Sequence, residues 1–143
     1  MEEEYPVLTR KLVIVEDNPA LAEIYKTRLE LIGYTVFVAQ DGEIALTLIE
    51  RELPDLVLLD LMIPKIAGGE VLERMRASEW GKSIRVYVIS NLNEHEAPAN
   101  LRQLGIEGYA VKANLTDDDI DKLVDSILMP PEQKAEAENY VLE

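Results

Sequence analysis

Short apolar runs recur along the chain and divide it into alternating segments. They are rich in valine, isoleucine and leucine, and runs of this length and composition are typical of buried strands. Five such runs predict five strands: LVIVE, TVFVA, DLVLL, IRVYVIS and GYAVK.

The segments between these strands carry apolar residues at helical spacing. The first predicted helix begins after Asn18, a good capping residue, with Pro19 at its first position, and ends at Gly33. Its apolar face is predicted to consist of Leu21, Ile24, Leu29 and Ile32. Further helices are predicted over 41–53, 70–80 and 98–104 and from Thr116 onward. The fourth of these five helices is short and has few apolar residues, which favours a mobile element.

Strands that alternate with helices predict an α/β fold, a doubly wound parallel sheet with helices on both faces. The length of 143 residues and the hydrophobic fraction of 48% suit one compact domain. We assign this domain to 11–129, with an N-terminal extension over 1–10 and a short C-terminal tail over 130–143. The chain leaves no room for an effector domain, so we expect it to stand alone and to act on a separate protein.

The charge balance excludes several classes of partner. The chain has 28 acidic and 14 basic residues, and its formal charge of −14 repels phosphate backbones and anionic lipid surfaces. We therefore expect no direct nucleic acid partner and no membrane partner. The chain has no cysteine, which excludes disulfides and thiol chemistry. The N-terminus lacks a signal-peptide pattern and no apolar run approaches the roughly 20 residues that span a bilayer, so we expect a soluble cytoplasmic protein.

Polar residues stand where the predicted strands end, and α/β folds bind ligands at the carboxyl ends of their strands. Glu16 and Asp17 end the first strand, Asp60 the third, Ser90 the fourth and Lys112 the fifth. If the first and third strands are neighbours, about 4.8 Å apart, the three carboxylates meet in one cleft. Clustered anions repel one another unless a cation joins them, and an all-oxygen site suits Mg²⁺. The same repulsion predicts that Asp17→Asn or Asp60→Asn stabilises the metal-free protein.

At these residues the chain resembles the receiver domain of bacterial response regulators, the CheY-like family, over about 11–128. The matching motifs, in chain order, are VEDNP, LLDLMIP, the glycine at Gly68, VIS and GYAVK. Each motif is weak alone, but their order is specific. The resemblance implies a flavodoxin-like fold with the sheet order 2-1-3-4-5, of which CheY is a known example.

The resemblance further implies a two-component phosphorelay function. Asp60 would accept a phosphoryl group from a phosphohistidine of a histidine kinase or phosphotransfer protein, since carboxylates form acyl phosphates. Mg²⁺ would be the cofactor, bound directly by Asp17, Asp60 and the Met62 carbonyl, with Glu16 acting mainly through water. The protein would be a phosphoacceptor signalling domain, not an enzyme in the ordinary sense, although it assists its own phosphorylation and dephosphorylation.

Three further residues receive roles from the resemblance. Lys112 would neutralise the phosphoryl oxygens together with the metal ion, and Ser90 would turn its hydroxyl onto one of them. Tyr109 would rotate inward, a two-state switch that changes the affinity for a downstream protein effector. Alone, Ser90 and Tyr109 are ordinary strand residues, and only their spacing to Asp60 and Lys112 favours these roles.

Two departures from the family pattern bear on this site. Ala113 stands where a proline usually follows the lysine in a cis bond. A cis bond before a non-proline residue costs about 2.5–4 kcal/mol, which favours a trans bond and an altered Lys112 loop, but the sequence alone leaves the isomer open. Asn91 follows Ser90 where a small residue is usual, and we expect it to narrow the access to Asp60.

Rival classes of protein fit the sequence less well. A flavodoxin-like cofactor binder needs a phosphate loop rich in serine, threonine or glycine after the first strand, but this chain has EDNPA. A hydrolase that forms an aspartyl phosphate commonly has a second aspartate two residues after the first, where this chain has Met62. The alternative that stays open is a pseudo-receiver, an unphosphorylated protein-interaction scaffold with the same fold.

Overall fold

Five parallel strands form one sheet in the order β2-β1-β3-β4-β5 in the computed structural model, which describes residues 9–128. The strands are β1 Lys11–Val15, β2 Thr35–Ala39, β3 Leu56–Leu59, β4 Arg85–Ser90 and β5 Gly108–Val111. The α-helices of the described residues are α1 Pro19–Ile32, α2 Gly42–Glu52, α3 Gly68–Ala77 and α4 Asp117–Leu128. The predicted fold class and strand order are confirmed.

The sheet is covered on both faces, because alternate strand residues point to opposite sides. Leu12 and Ile14 of β1 pack into the layer that contains α1 and α4. Val13 and Val15 pack into the layer that contains α2 and α3. No helix within residues 9–128 has the length and apolar content needed to cross a bilayer. Most of the predicted extension over 1–10 and the whole predicted tail over 130–143 lie outside the described residues.

Helix α1 begins and ends where the sequence predicts, but a different face is buried. The Asn18 side chain caps its first turn by accepting the N–H groups of Ala20 and Leu21 at 3.1 and 3.2 Å. Gly33 ends it with a φ of 122°, a conformation that favours glycine.

The predicted apolar face of α1 is wrong for two of its four residues. Ile24 and Ile32 are 43% and 47% exposed. The buried residues of the helix are Ala22, Tyr25 and Leu29. These three also have helical spacing, so the pattern admitted two faces, and packing against α4 and the sheet selects the one with the tyrosine.

The fourth predicted helix, over 98–104, is not an α-helix. A 3₁₀ helix over Glu94–Glu96 is followed by turns, one of which is closed by the Leu104 N–H on the Asn100 carbonyl at 3.1 Å. The segment has few apolar residues with which a helical face could pack against the core. Helix α3 also differs from the predicted 70–80, since it covers Gly68–Ala77.

Arg76, near the end of α3, replaces the missing helical hydrogen bonds at the end of this segment. Its guanidinium donates to the carbonyls of Leu104 at 2.6 Å and Gly105 at 2.7 Å. It also donates to the carbonyls of Gly81 and Ile84, both at 2.8 Å. One side chain thus joins α3, the loop that follows it and the chain that leads into β5.

Gly68 lets α3 begin directly against the end of β3. A Cβ at this position would lie 2.2 Å from the Asp60 carbonyl oxygen, which no side chain tolerates. The Gly68 N–H donates to the Leu61 carbonyl at 3.0 Å. The backbone of Asp60 is therefore held in place by the first turn of a helix.

Candidate functional site

Glu16 and Asp60 lie side by side at the carboxyl edge of the sheet. Strands β1 and β3 are neighbours, with Val15 opposite Leu59, so the next residue of each strand emerges at the same point. The Asp60 N–H donates to the Val15 carbonyl at 3.1 Å, which extends the pairing by one residue. Both carboxylate residues are buried, with 2% and 4% of their surface exposed. Two buried acids in contact need a cation.

Lys112 supplies a positive charge between these two acids. Its Nζ lies 2.5 Å from a carboxylate oxygen of Glu16 and 2.5 Å from Oδ2 of Asp60. Burial alone would lower the pKa of Lys112, but the hydrogen bonds that its ammonium donates to Asp60 and Glu16, with the charges of these acids, outweigh burial and raise this pKa above its ordinary value. The amine is therefore charged at every physiological pH. The peptide bond to Ala113, whose isomer the sequence left open, is trans, since residues 9–128 contain no cis bond.

Asp17 completes a group of three carboxylates. One carboxylate oxygen each of Glu16, Asp17 and Asp60 lie within 4.8 Å of one another, and Asp17 is exposed to solvent. The second oxygen of Glu16 accepts the Asn18 N–H at 3.0 Å. Three carboxylates share one ammonium group here, which leaves an excess of negative charge. Hard oxygen donors with solvent on one side suit a divalent cation such as Mg²⁺.

The backbone of Met62, and not its side chain, belongs to this group. Its N–H donates to Oδ1 of Asp60 at 3.0 Å, while the side chain is 56% exposed. Asp60 therefore has a donor on each oxygen, Met62 on Oδ1 and Lys112 on Oδ2. These two donors fix the orientation of the carboxylate.

Ser90 and Tyr109 both bond to Leu92, and the Ser90 side chain also acts directly on the Tyr109 phenol, whose pKa it lowers by hydrogen bonding. Ser90 is fully buried at the end of β4, and its Oγ accepts the Leu92 N–H at 3.4 Å. The half-buried Tyr109 of β5 donates its hydroxyl to the Leu92 carbonyl at 2.7 Å. Burial outweighs the effect of Ser90 and raises the pKa of the Tyr109 phenol, so it remains a donor. A change at Ser90 can therefore reach Tyr109 directly and through the backbone of Leu92.

Tyr25 is a site neighbour that the sequence pattern did not reveal. It lines a small cavity together with Glu16 and Asp60 and is 6% exposed. The spacing of Ala22, Tyr25 and Leu29 was the available signal, but the more apolar Ile24 obscured it. Of the residues predicted for the site, Glu16, Asp17, Asp60 and Lys112 lie together and the Met62 N–H binds Asp60, while Ser90 and Tyr109 lie on the neighbouring strands β4 and β5. Helix α1 adds Tyr25.

We expect Asp17→Asn to raise the free energy of unfolding in EDTA by about 1 kcal/mol, because one of three close carboxylates loses its charge. Asp60→Asn is expected to give no such gain, since it also removes the ion pair with Lys112. The structure thus separates two substitutions that the sequence treated alike. Urea unfolding of the wild type and both variants in EDTA measures the difference, and equal gains would contradict it.

Comparison with known proteins decides the family. The family model of the response regulator receiver domain matches residues 12–125. The chain belongs to the response regulator receiver family. The resemblance predicted from the sequence motifs is confirmed, and the CheY-like fold expected of such a receiver is the one observed.

Curated relatives of this receiver are longer proteins. The probable transcriptional regulator ycf27 of Guillardia theta is 36% identical over 102 residues, which cover 71% of this chain and 39% of that protein. The DNA-binding dual master transcriptional regulator RpaA of Synechocystis sp. is 32% identical over 102 residues, again 71% of this chain and 42% of the relative. The receiver spans about two fifths of the length of these relatives.

Solved receiver structures share the fold over nearly their whole length. The BeF3-activated N-terminal receiver domain of Klebsiella pneumoniae RstA has a TM-score of 0.73 and 26% identity. The match covers 85% of this receiver and 100% of that chain. The chemotaxis response regulator CheY4 of Vibrio cholerae has a TM-score of 0.76, covering 84% and 99% of the two chains. Its identity of 22% supports the fold alone.

Proposed function

We propose that this receiver accepts a phosphoryl group on Asp60 from a phosphohistidine of a histidine kinase or phosphotransfer protein. The observation that carries the proposal is the setting of Asp60, a carboxylate that is 96% buried yet has an ammonium group, two further carboxylates and an open side at one sheet edge. A purely structural aspartate would need its ion pair but not the excess of acids around it. That excess indicates a site built for added cations and a transferred anion.

In this reaction an Asp60 oxygen forms a bond to phosphorus as the phosphorus–nitrogen bond of the donor breaks. The electron pair of that bond stays on the histidine nitrogen, which takes up a proton. The Met62 N–H on Oδ1 orients the carboxylate for attack. Gly68 packs directly against the backbone of Asp60. This contact holds residue 60 rigidly and keeps the nucleophile at a fixed distance from the incoming group.

The donor set fits Mg²⁺. Asp17 and Asp60 would hold the ion directly with the Met62 carbonyl, and Glu16 would act through water, because Mg²⁺ retains several of its waters in proteins. When bound, the ion neutralises negative charge that gathers on the phosphoryl oxygens.

Lys112 and Ser90 stabilise the product. The Lys112 ammonium lies on Oδ2 of Asp60 and turns to a phosphoryl oxygen once Asp60 is modified. The Ser90 hydroxyl donates to a second phosphoryl oxygen, and its hold on the Leu92 N–H loosens. Leu92 then shifts, and Tyr109 loses its acceptor and rotates inward. The surface formed by the turns over 98–104, β5 and α4 changes its affinity for a downstream protein.

Treatment of the receiver with beryllofluoride and Mg²⁺ tests this function, since beryllofluoride stands in for the phosphoryl group. We expect saturable binding and large changes in the backbone amide NMR signals of Leu92 and Tyr109. Amide signals at the far edge of the sheet, such as Ser83, serve as the internal control. A receiver that is a scaffold would show neither binding nor a response at these positions, and the proposal would then be wrong.

A further inference from the structure

Tyr25 lies in the layer between the sheet and helices α1 and α4, with its ring among buried apolar side chains. Its hydroxyl forms no hydrogen bond with another group of residues 9–128, and it is not one of their fully buried polar atoms without a partner, which are Nε of Arg28 and Oδ1 of Asp121, so it reaches solvent. A buried tyrosine usually has a partner for its hydroxyl, as Tyr34 on the same side has in Asp125. The Tyr25 hydroxyl therefore has to find its partner in water that reaches it.

The cavity beside Tyr25 offers that partner. Its volume is about 10 Å³, which is room for one water molecule. Its polar lining consists of Glu16, Asp60 and Tyr25, and the remaining lining is the apolar core, for example Ile14 and Ile89. A water molecule needs two to four polar partners to be held in a protein, and these three side chains supply them.

Glu16 is the residue for which this contact matters. In the unmodified receiver one of its oxygens is held by Lys112 and the other by the Asn18 N–H. When Lys112 turns to the phosphoryl group, the first oxygen loses its charged donor and keeps at most the water-mediated contact with the metal ion, while Glu16 stays 98% buried. A buried carboxylate that loses a donor is unfavourable unless another donor replaces it.

We propose that Tyr25 is a positioning residue that supports Glu16 in the phosphorylated receiver, by donating its hydroxyl through one water molecule in this cavity. The inference rests on the proposed phosphorylation of Asp60. Tyr25 touches neither the phosphoryl group nor its donor, and acts only through Glu16 on the freedom of Lys112 to move. It adds a contribution from α1 to a site otherwise built by the strand ends.

The protonation of Tyr25 agrees with this role. Burial first, and the negative charge of Glu16 second, raise the pKa of the phenol above its ordinary value. The hydroxyl therefore remains a donor throughout the physiological range. The alternative is that Tyr25 only fills space in the core, in which case the ring matters and the oxygen does not.

Tyr25→Phe separates the two roles because it keeps the ring and removes the oxygen. We expect its dissociation constant for beryllofluoride, in saturating Mg²⁺, to rise about 3- to 10-fold, the range expected for one hydrogen bond. Tyr34→Phe is the matched control, since it also removes a phenol oxygen from the α1 and α4 layer, but one bonded to Asp125. The control is expected to bind beryllofluoride like the wild type. In a Glu16→Gln background, Tyr25→Phe is expected to change binding less than 2-fold.

A second measurement needs no bound anion. The Asn18 N–H donates to the same Glu16 carboxylate, so its amide NMR signal reports the state of Glu16 in the metal-free protein. We expect Tyr25→Phe to move this signal and Tyr34→Phe to leave it unchanged. Unchanged beryllofluoride affinity together with an unchanged Asn18 signal in Tyr25→Phe would overturn the inference. If the wild type itself fails to bind beryllofluoride, the proposed function is wrong, and the Asn18 signal still decides the Tyr25 contact.

Discussion

Replacing Asp60 with asparagine will abolish the mass increase of one phosphoryl group that acetyl phosphate and Mg²⁺ produce in the wild-type receiver. The amide of asparagine is almost isosteric with the carboxylate but is not a nucleophile toward phosphorus. It can still accept the Met62 N–H that orients residue 60. Intact-mass spectrometry after treatment with acetyl phosphate measures the loss directly.

Asp41→Asn is the matched control for this experiment. Asp41 is also a buried aspartate, 7% exposed, but it caps α2 by accepting the Ile44 N–H at 2.8 Å. Asparagine caps helices as well as aspartate does, so this variant is expected to fold and to be phosphorylated like the wild type. Stoichiometric labelling of Asp60→Asn would show that another residue is the acceptor.

Replacing Asp17 with asparagine is expected to have the second largest effect, on the affinity for Mg²⁺. Asp17 is the exposed member of the three carboxylates and can bind the ion without losing a protein partner. Loss of a residue that only hydrogen-bonds to a metal ligand lowers metal affinity roughly 10- to 100-fold. Loss of a charged direct ligand such as Asp17 should therefore lower the affinity for Mg²⁺ at least as much. Isothermal titration calorimetry with Mg²⁺ at constant ionic strength measures the two dissociation constants.

Glu79→Gln removes the same charge far from the site and controls for general electrostatics. Glu79 lies beyond the end of α3, at the opposite edge of the sheet, where it pairs with Lys82 at 2.7 Å. We expect it to bind Mg²⁺ like the wild type. A ligand that binds only the folded state raises the free energy of unfolding. Added Mg²⁺ should therefore raise this free energy for the wild type and for Glu79→Gln, and much less for Asp17→Asn. Equal Mg²⁺ affinities for Asp17→Asn and the wild type would place the metal elsewhere.

The strands and the edge that carries the site were predictable because both depend on local patterns. Continuous apolar runs specify buried strands, and a polar residue at the end of such a run has to lie at the carboxyl edge. The meeting of Glu16 with Asp60 then required only that β1 and β3 be neighbours, which the family resemblance implied.

The parts that the sequence did not predict depend on long-range contacts. Helical spacing on α1 fits two faces, and only packing against α4 decides that Tyr25 rather than Ile24 is buried. The turns over 98–104 are held by Arg76, which is remote in sequence. The sequence also did not predict that Lys112 contacts both Glu16 and Asp60. This contact depends on the conformation of the lysine side chain, which the spacing of residues along the chain does not specify.

The Arg76 anchor also limits how far a signal from the site can travel. In the proposed switch, displacement starts at Leu92, but the Leu104 and Gly105 carbonyls are fixed to α3 through the guanidinium. The Glu107 N–H, bonded to the Val86 carbonyl at 2.7 Å, then aligns β5 with β4. In the proposed switch the strands therefore stay in place, and the parts that move are the loop from Leu92 to the Arg76-bound Leu104 and the Tyr109 side chain of β5. On this proposal a downstream protein that binds the surface of the turns over 98–104, β5 and α4 would distinguish the two states by the loop and the Tyr109 side chain, and not by a shift of strands.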